Sequence, residues 1–215
     1  MKLILIAPGG GGKGSLAEFI VSDYSIPHIS SGDIFRKNIK EGTLLGMQVE
    51  KYVTSGALVP DEVVFGPVFE RLQRDDCRKG YILDGFPRTL KQAKVLAEKV
   101  DIDAVIELEV PDELILARLA GRWMCKSCNT ITNSRFYKDF KEGVCTKCSG
   151  ELYQREDDKP EVVKRRLAQY RAGFKDILDF YRHKGILYPV KVGWNDTPLY
   201  TYSLVKEIFR EKSLK

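Results

Sequence analysis

The chain has 215 residues, 43% of them hydrophobic and 30% charged, which is typical of a globular protein with one sizeable core. Its net charge of +5 suits an anionic ligand but falls short of the dense basic patch of a nucleic-acid-binding protein. No stretch approaches the roughly 20 apolar residues of a membrane span, and the first apolar run is too short for a secretory signal. With five cysteines, these features predict a reducing, cytoplasmic location without disulfides.

Short apolar runs alternate with helical patterns along the chain. Buried strands are predicted at residues 2–7, 81–83, 104–106 and 188–192. Residues 163–181 repeat apolar side chains every three to four positions, which predicts an amphipathic helix. Thr89 is expected to cap a helix that runs to about Lys99, and Asp112 to cap the next one. This alternation predicts an α/β fold with a parallel sheet and helices on both faces.

A glycine-rich loop, residues 8–15 (PGGGGKGS), follows the first predicted strand and precedes a helical pattern. Such a loop turns backbone N–H groups inward, and the helix N-terminus adds its dipole, so the segment predicts a phosphate-binding site. Lys13 is placed to reach the β- and γ-phosphates of a nucleotide, and the Ser15 hydroxyl to lie near a bound Mg²⁺. The strict P-loop pattern has Ser or Thr directly after the lysine, whereas Gly14 intervenes here. A plain glycine-rich turn is the alternative interpretation.

Residues 122–158 are polar, lack a long apolar period and predict a small inserted domain. Two C-x2-C pairs separated by sixteen residues are formed by Cys125, Cys128, Cys145 and Cys148. This spacing predicts a closed, tetrahedral and structural Zn²⁺ site, against the weaker alternatives of unrelated thiols or two disulfides. His28 and His183 are distant in sequence and are expected to be ordinary surface or helix residues. Cys77 is expected to be a packing residue.

Further motifs follow the glycine loop in order. Residues 31–36 (SGDIFR), 56–61 (GALVPD) and 83–89 (LDGFPRT), with Gln92 after them, resemble the signature segments of adenylate kinases. The resemblance is to the zinc-containing, long-lid members of these P-loop nucleoside-monophosphate kinases, and it covers essentially the whole chain. It implies the Mg²⁺-dependent reaction ATP + AMP ⇌ 2 ADP, carried out by a monomer, although a homo-oligomer stays open.

The same resemblance implies three structural parts. The P-loop core comprises residues 1–29, 60–121 and 159–215. A helical lobe that binds the nucleoside monophosphate spans residues 30–59, and a zinc-ribbon-like lid spans residues 122–158.

It also implies the roles of individual residues. Catalytic roles fall to Lys13, Asp84, Arg36, Arg88, Arg122, Arg155 and Arg166. ATP is expected to contact Gly10, Gly11, Gly12, Lys13, Gly14, Ser15, Arg118, Arg122, Ile131, Thr132 and Thr197. AMP is expected to contact Ser31, Arg36, Ala57, Leu58, Val59, Gly85, Arg88, Gln92, Arg155 and Arg166. Asp84, helped by Asp33, is expected to orient Mg²⁺ through water.

Some roles remain open between two interpretations. Asp157 and Asp158 are expected to form a lid hinge and helix cap rather than to contact substrate. Val64 lines the acceptor pocket or belongs to the core.

Two alternative functions stay open. Segments 129–133 and 194–198 depart from the family pattern beside the donor base, which favours a broad range of NTP donors, and another monophosphate such as UMP or CMP is a further possibility. A zinc-ribbon nucleic-acid-binding protein would need basic and aromatic residues concentrated on the ribbon. Basic and acidic residues are nearly balanced between residues 122 and 159, so no nucleic-acid partner is expected.

Overall fold

The computed structural model describes residues 1–214. Its strands are β1 (Lys2–Ile6), β2 (His28–Ser30), β3 (Tyr81–Asp84), β4 (Ala104–Glu109), β5 (Arg122–Cys125), β6 (Ile131–Asn133), β7 (Leu152–Tyr153) and β8 (Leu187–Lys191). Its α-helices are α1 (Lys13–Tyr24), α2 (Ser31–Lys40), α3 (Leu44–Ser55), α4 (Asp61–Leu72), α5 (Leu90–Lys99), α6 (Asp112–Ala120), α7 (Pro160–His183) and α8 (Pro198–Glu211). Short 3-10 helices occur at Asp75–Cys77 and Glu156–Asp158.

Five of the strands form one parallel sheet in the order β2-β3-β1-β4-β8. The central strand β1 is apolar on both sides, as expected of a strand with both faces covered. Leu3 and Leu5 point to one face, where they pack with residues of α1, α6 and α8. Ile4 and Ile6 point to the other face and pack with residues of α4, α5 and α7. The predicted α/β fold, with helices on both faces of a parallel sheet, is confirmed.

Two segments stand apart from this sheet. Residues 31–55 form the helices α2 and α3, which pack against each other and are N-capped by the side chains of Ser30 and Thr43. Residues 122–153 carry an antiparallel sheet in the order β6-β5-β7. Its small cluster of buried residues is formed by Cys125, Cys145 and Leu152.

The predicted helix boundaries hold in one case and fail in another. Thr89 caps α5 by accepting a hydrogen bond from the Gln92 N–H, as predicted. Asp112 is not a cap, because Pro111 occupies that position and Asp112 is the first residue of α6. There its carboxylate accepts a hydrogen bond of 2.5 Å from Arg171 on α7. Strand β8 also lies one residue earlier than the predicted run at 188–192.

Candidate active site

The glycine-rich loop connects β1 to α1 at the carboxyl edge of the sheet. Gly10 and Gly12 have φ values of 86° and 98°, in the left-handed region that favours glycine. Gly12 is the N-cap of α1, and within residues 1–214 no side chain caps that helix. The first N–H groups of α1 are therefore left for an anion, which is how helix N-termini bind phosphate.

Lys13, the first residue of α1, lies within this loop. Its Nζ donates to the carbonyl oxygens of Ala7 at 2.8 Å and Pro8 at 3.2 Å. It also lies 3.6 Å from the Asp84 carboxylate at the end of β3. Burial, together with the nearby Arg88, lowers the pKa of Lys13 against the opposing effect of Asp84. The ammonium is thus tethered by short backbone contacts at the loop that is predicted to hold the phosphates.

Asp84 is held ionised by two cationic or donor groups. Burial alone would raise its pKa, but Lys13 and a hydrogen bond from His28 lower that pKa to about 2. His28 Nε2 lies 3.3 Å from Asp84 Oδ2. The prediction that His28 is an ordinary surface or helix residue is therefore wrong. It lies partly buried on β2, opposite Ile82 in the parallel register, and its ring reaches Asp84 two residues further along β3. Only strand adjacency, which the sequence does not state, identifies this contact.

The predicted arginines converge from four parts of the chain. Arg36 pairs with Asp33 on α2, and Arg155 Nη2 lies 3.9 Å from the same carboxylate. Arg88 Nε donates to the Gly85 carbonyl at 2.8 Å. Burial and the neighbouring Arg166 lower the pKa of Arg88 to about 10. Burial and nearby guanidinium groups likewise lower the pKa of Arg155 to about 10, so the cluster concentrates positive charge that an anion would relieve.

Asp157 and Asp158 bind two of these arginines. Asp157 accepts a hydrogen bond of 2.8 Å from Arg166, and Asp158 one of 2.7 Å from Arg122. The expected helix cap is wrong, because Lys159 is the N-cap of α7 and no side chain caps it within the described residues. Both aspartates instead form partly buried ion pairs at the junction of the cysteine-rich segment with α7.

A pocket opens between α2, α3, the β3–α5 loop and α7. It is lined by every predicted AMP contact except Arg155, namely Ser31, Arg36, Ala57, Leu58, Val59, Gly85, Arg88, Gln92 and Arg166. Val64 is 4% exposed and lines the same pocket, so both interpretations of this residue hold. The pocket is also lined by Phe35, Tyr52 and Val53 of α2 and α3, which were not predicted, and by Asp157, for which a hinge role was expected rather than a substrate contact.

The floor of this pocket is closely fitted. Gly85 has a φ of 74°, and a Cβ at this position would lie 2.8 Å from the Ser31 hydroxyl. Gln92 is 2% exposed; its amide oxygen accepts from the Arg88 N–H at 2.6 Å and its amide nitrogen donates to Asp61 at 2.7 Å. This contact between Asp61 and Gln92 was not predicted from the sequence. The Gln92 amide is thereby fixed in orientation and keeps one donor and one acceptor position for a ligand.

The predicted donor residues surround the glycine loop from the other side. Arg118 Nη1 lies 3.4 Å from the Gly11 carbonyl oxygen. Ile131, on β6 of the cysteine-rich segment, lies against Gly14, and the next residue, Thr132, is buried. The Thr197 hydroxyl, which was predicted to contact ATP, is already engaged: it caps α8 by accepting a hydrogen bond of 3.1 Å from the Tyr200 N–H.

Comparisons with known proteins agree with this geometry. A family model described as adenylate kinase matches residues 4–186. The adenylate kinase of Caldicellulosiruptor bescii is 48% identical over 192 residues, which cover 87% of this chain and 89% of the relative. That of Geobacillus sp. (strain WCH70) is 50% identical over 192 residues, with 87% and 89% coverage. That of Archaeoglobus fulgidus is 46% identical over 195 residues, with 88% and 90% coverage.

This chain belongs to the adenylate kinase family. The predicted enzyme class, a nucleoside-monophosphate kinase, is confirmed, and so is the predicted function, reversible phosphoryl transfer from ATP to AMP. The substrates that this family membership implies are ATP, AMP and ADP. No helix within residues 1–214 is both long and apolar enough to cross a membrane.

The four cysteines of this adenylate kinase converge on one point. Their sulfur atoms all lie within 4.8 Å of one another, and the Cys125–Cys148 pair is 3.4 Å apart. Four sulfurs around Zn²⁺, each at about 2.3 Å, lie roughly 3.8 Å from one another, so the cluster fits this metal. Backbone N–H groups of the first knuckle, chiefly that of Cys128, lower the pKa of Cys125 toward the thiolate that zinc requires.

The two knuckles repeat one turn geometry. In each, the residue after the second cysteine is left-handed, with φ values of 58° at Asn129 and 59° at Ser149. Its N–H bonds back to the first cysteine carbonyl, at 3.0 Å in the first knuckle and 2.8 Å in the second. This repeated geometry brings both C-x2-C pairs to one point, an arrangement compatible with the metal site that the spacing predicts. Cys77 is buried away from the cluster, as expected.

Proposed function

We propose that this adenylate kinase transfers the γ-phosphoryl group of MgATP to AMP across the cleft between the glycine-rich loop and the acceptor pocket. One observation carries the assignment of the two sites. The Arg166 guanidinium lies against Gly9 of the glycine-rich loop, while its aliphatic stem lies against Gly56 of the acceptor pocket. A single arginine between both sites is suited to stabilise charge on the group in transfer.

The remaining cations divide between the two substrates. Lys13 and the N–H groups of α1 would hold the donor phosphates, while Arg36 and Arg88 would hold the acceptor phosphate. Arg122 and Arg155 would join Arg166 on the transferring group. No general base is needed, because the acceptor oxygen belongs to an ionised phosphate, so catalysis rests on alignment and charge.

Asp33 and Asp157 are proposed to hold the arginines in place when no substrate is bound. Each carboxylate pairs with one guanidinium group, and because a guanidinium can bind phosphate through two parallel hydrogen bonds, substrate binding would exchange the carboxylate for a phosphate. Before substrate binds, these carboxylates would keep the arginine side chains ordered and balance their charge.

Magnesium is proposed to bind with the nucleotide near Asp84. The support is a buried carboxylate whose pKa of about 2 keeps it ionised, placed beside Lys13 and the glycine-rich loop. Magnesium commonly retains several waters and is held by one or two carboxylates plus substrate phosphates. Asp84 would orient such waters, and the Ser15 hydroxyl lies on the first turn of α1.

Zinc is proposed to bind Cys125, Cys128, Cys145 and Cys148 as a structural ion. Four thiolates leave no open coordination position, so the metal would stabilise the lid and would not act as a Lewis acid in the reaction.

Residues 30–59 and 122–158 are proposed to move as separate units on the core of residues 1–29, 60–121 and 159–215. Each chain carries donor, acceptor and lid groups, which supports activity as a monomer.

Turnover with each NTP paired with each NMP tests this function. ATP with AMP should give ADP, whereas ATP with UMP or CMP should give little product, because the orientation of the Gln92 amide is fixed and suits hydrogen bonds to the edge of adenine.

On the donor side we expect tolerance of GTP, since Thr197 is engaged as a helix cap. An ATP:GTP efficiency ratio above about 10³, roughly 4 kcal/mol, would contradict that tolerance, and faster turnover of UMP than AMP would contradict the acceptor assignment.

A further inference from the structure

Asp61, the first residue of α4, is bonded to the start of α5 behind the acceptor pocket. Its carboxylate accepts hydrogen bonds from the Thr89 hydroxyl, at 3.1 Å to each oxygen, and from the Gln92 side-chain amide at 2.7 Å. Gln92 lines the pocket, whereas Asp61 and Thr89 are not among its lining residues within the described range 1–214. Any effect of Asp61 on the acceptor nucleotide therefore passes through Gln92.

The two partners of the Gln92 amide determine which way it faces. The Arg88 backbone N–H can only donate, and it bonds the amide oxygen at 2.6 Å. An ionised Asp61 carboxylate can only accept, and it bonds the amide nitrogen. The reversed amide would place its NH₂ against an N–H and its oxygen against a carboxylate. Because Gln92 is 2% exposed, water could not compensate for these repulsive contacts.

The Asp61 carboxylate is itself held in position by the helix cap of α5. Thr89 is the N-cap of this helix, and its hydroxyl oxygen accepts from the Gln92 backbone N–H at 3.0 Å. The same hydroxyl donates to Asp61, so the cap, the carboxylate and the amide form one hydrogen-bonded network that joins α4 to α5. Such a network holds its members in a single arrangement.

The amide orientation selects the type of purine that fits the pocket. One N–H and one lone pair of the Gln92 amide remain for a ligand. Adenine presents an amino donor at C6 beside the N1 acceptor, which matches the amide as Asp61 holds it. A purine with a carbonyl at C6 has an N1–H donor beside that acceptor, so it would meet the same amide donor to donor and acceptor to acceptor.

We propose that Asp61 is a positioning residue that fixes the Gln92 amide to accept 6-amino purines and to reject 6-oxo purines. This inference rests on the proposed function, in which Gln92 contacts the base of the acceptor nucleotide. Phe35, Val59 and Val64 line the same pocket and supply apolar surface for the faces of either purine. The discrimination therefore depends on the hydrogen-bonding edge that Asp61 controls, and not on the size of the base.

The test compares AMP with IMP, which has the same ribose and phosphate but carries a 6-oxo purine. With the full chain and saturating MgATP, kcat/KM for AMP should exceed that for IMP at least about a hundredfold. Asp61→Asn should lower this ratio at least about tenfold, because the new side-chain amide can donate as well as accept and so tolerates the reversed Gln92. Asp61→Ser offers a hydroxyl of the same dual character and decides the matter if Asp61→Asn does not fold.

Glu62→Gln is the matched control for Asp61→Asn. Glu62 is the next residue of α4, and its exposed ion pair with Lys91, at 2.5 Å, also joins α4 to α5 without contacting Gln92. This variant should leave the AMP:IMP ratio unchanged. A role of Asp61 in stability alone would lower kcat/KM for both nucleotides by one factor, so the ratio separates positioning from folding.

Two outcomes would overturn the positioning role: a parent enzyme that uses IMP as well as AMP, or an AMP:IMP ratio that Asp61→Asn and Asp61→Ser leave unchanged. Gln92→Ala distinguishes this failure from failure of the proposed function. If Gln92→Ala abolishes the discrimination while the Asp61 variants keep it, Gln92 contacts the base but Asp61 does not set its orientation. If Gln92→Ala also keeps the discrimination, the acceptor assignment fails, and this inference fails with it.

Discussion

The core and the lid of this adenylate kinase are stabilised in different ways. The core surrounds a sheet whose central strand is covered on both faces, with Leu3, Ile4 and Ile82 fully buried. The cysteine-rich segment, residues 122–158, which we propose to be a lid, has a small buried cluster of Cys125, Cys145 and Leu152. So small a lobe cannot bury enough apolar area to fold by itself, and we propose that zinc bound by the four cysteines supplies the missing stability.

The residues that are proposed to stabilise the lid differ from those that are proposed to bind the phosphates. The glycine-rich loop, Lys13 and Arg88 rest on core strands and helices. Arg122 is the first residue of β5 and is bonded to Asp158, and Arg155 lies just before the 3-10 helix that leads into α7, so both are held at the ends of the cysteine-rich segment. We therefore propose that zinc at the cysteine cluster supports the lid, while the charges that act on the phosphates are anchored elsewhere. The predictions below separate these two functions, beginning with the largest expected effect.

Removal of zinc should unfold the lid before the core. The apparent free energy of zinc binding in small zinc peptides is about 10–16 kcal/mol, which is folding energy for a lobe without its own core. A chelator, or Cys145→Ser, should produce a separate lower-temperature transition in calorimetry, with the core transition retained. Cys77→Ser, which removes a buried thiol outside the cluster, is the matched control and should affect the core transition instead. Less than about half an equivalent of zinc in the purified protein, with melting unchanged by chelator, would contradict the proposed role.

Lys13→Ala should abolish most turnover while the core stays folded. Removing one preorganised charge contact to a transferring group costs about 10²–10³ in rate, or roughly 3–4 kcal/mol. Because Lys13 also pairs with the buried Asp84, we expect the loss in kcat to come with a lower melting temperature, although the core remains folded under assay conditions. Lys175→Ala, on the exposed face of α7, is the control. Near-normal turnover in Lys13→Ala would mean that the loop does not act as a phosphate cradle.

Arg88→Lys should lower kcat by about tenfold to a hundredfold, roughly 1.4–2.7 kcal/mol. The substitution keeps a positive charge but removes the planar fork, of which Nε already bonds the Gly85 carbonyl at 2.8 Å. Arg78→Lys, in an exposed ion pair with Asp75, should have no such effect. Steady-state kinetics with AMP varied would reveal the loss, and full activity would show that a point charge suffices at this position.

Features set by neighbouring residues in the sequence were predictable. The glycine-rich loop, the Thr89 cap and the cysteine knuckles each depend on a few consecutive positions, so their residue types indicate their geometry. The contacts of His28 with Asp84 and of Asp61 with Gln92 were not predicted. Each of these contacts depends on which strands or helices lie adjacent, and local patterns do not state that adjacency. The prediction that Asp112 caps α6 was wrong for a local reason, because Pro111 occupies the N-cap position.

Acidification should weaken the core through Asp84, an effect that the lid does not share. The pKa of Asp84 is about 2 in the fold against an ordinary 3.8, so the unfolded chain binds the proton more tightly. The ion pairs of Asp84 therefore stabilise the fold above about pH 4, and this contribution is lost as the pH falls from about 4 through 2. A shift of this size corresponds to on the order of 2 kcal/mol.

The measurement is denaturant unfolding of chelator-treated protein between pH 5 and 2, roughly the window set by the two pKa values. Chelation removes the lid transition, which would otherwise respond to acid because protonated cysteines release zinc. Asp84→Asn should flatten the decline in the free energy of core unfolding, whereas the exposed Asp101→Asn should follow the parent curve. Parallel curves for Asp84→Asn and the parent would mean that the Lys13 and His28 contacts do not hold Asp84 ionised. The core would then owe its acid sensitivity to other carboxylates.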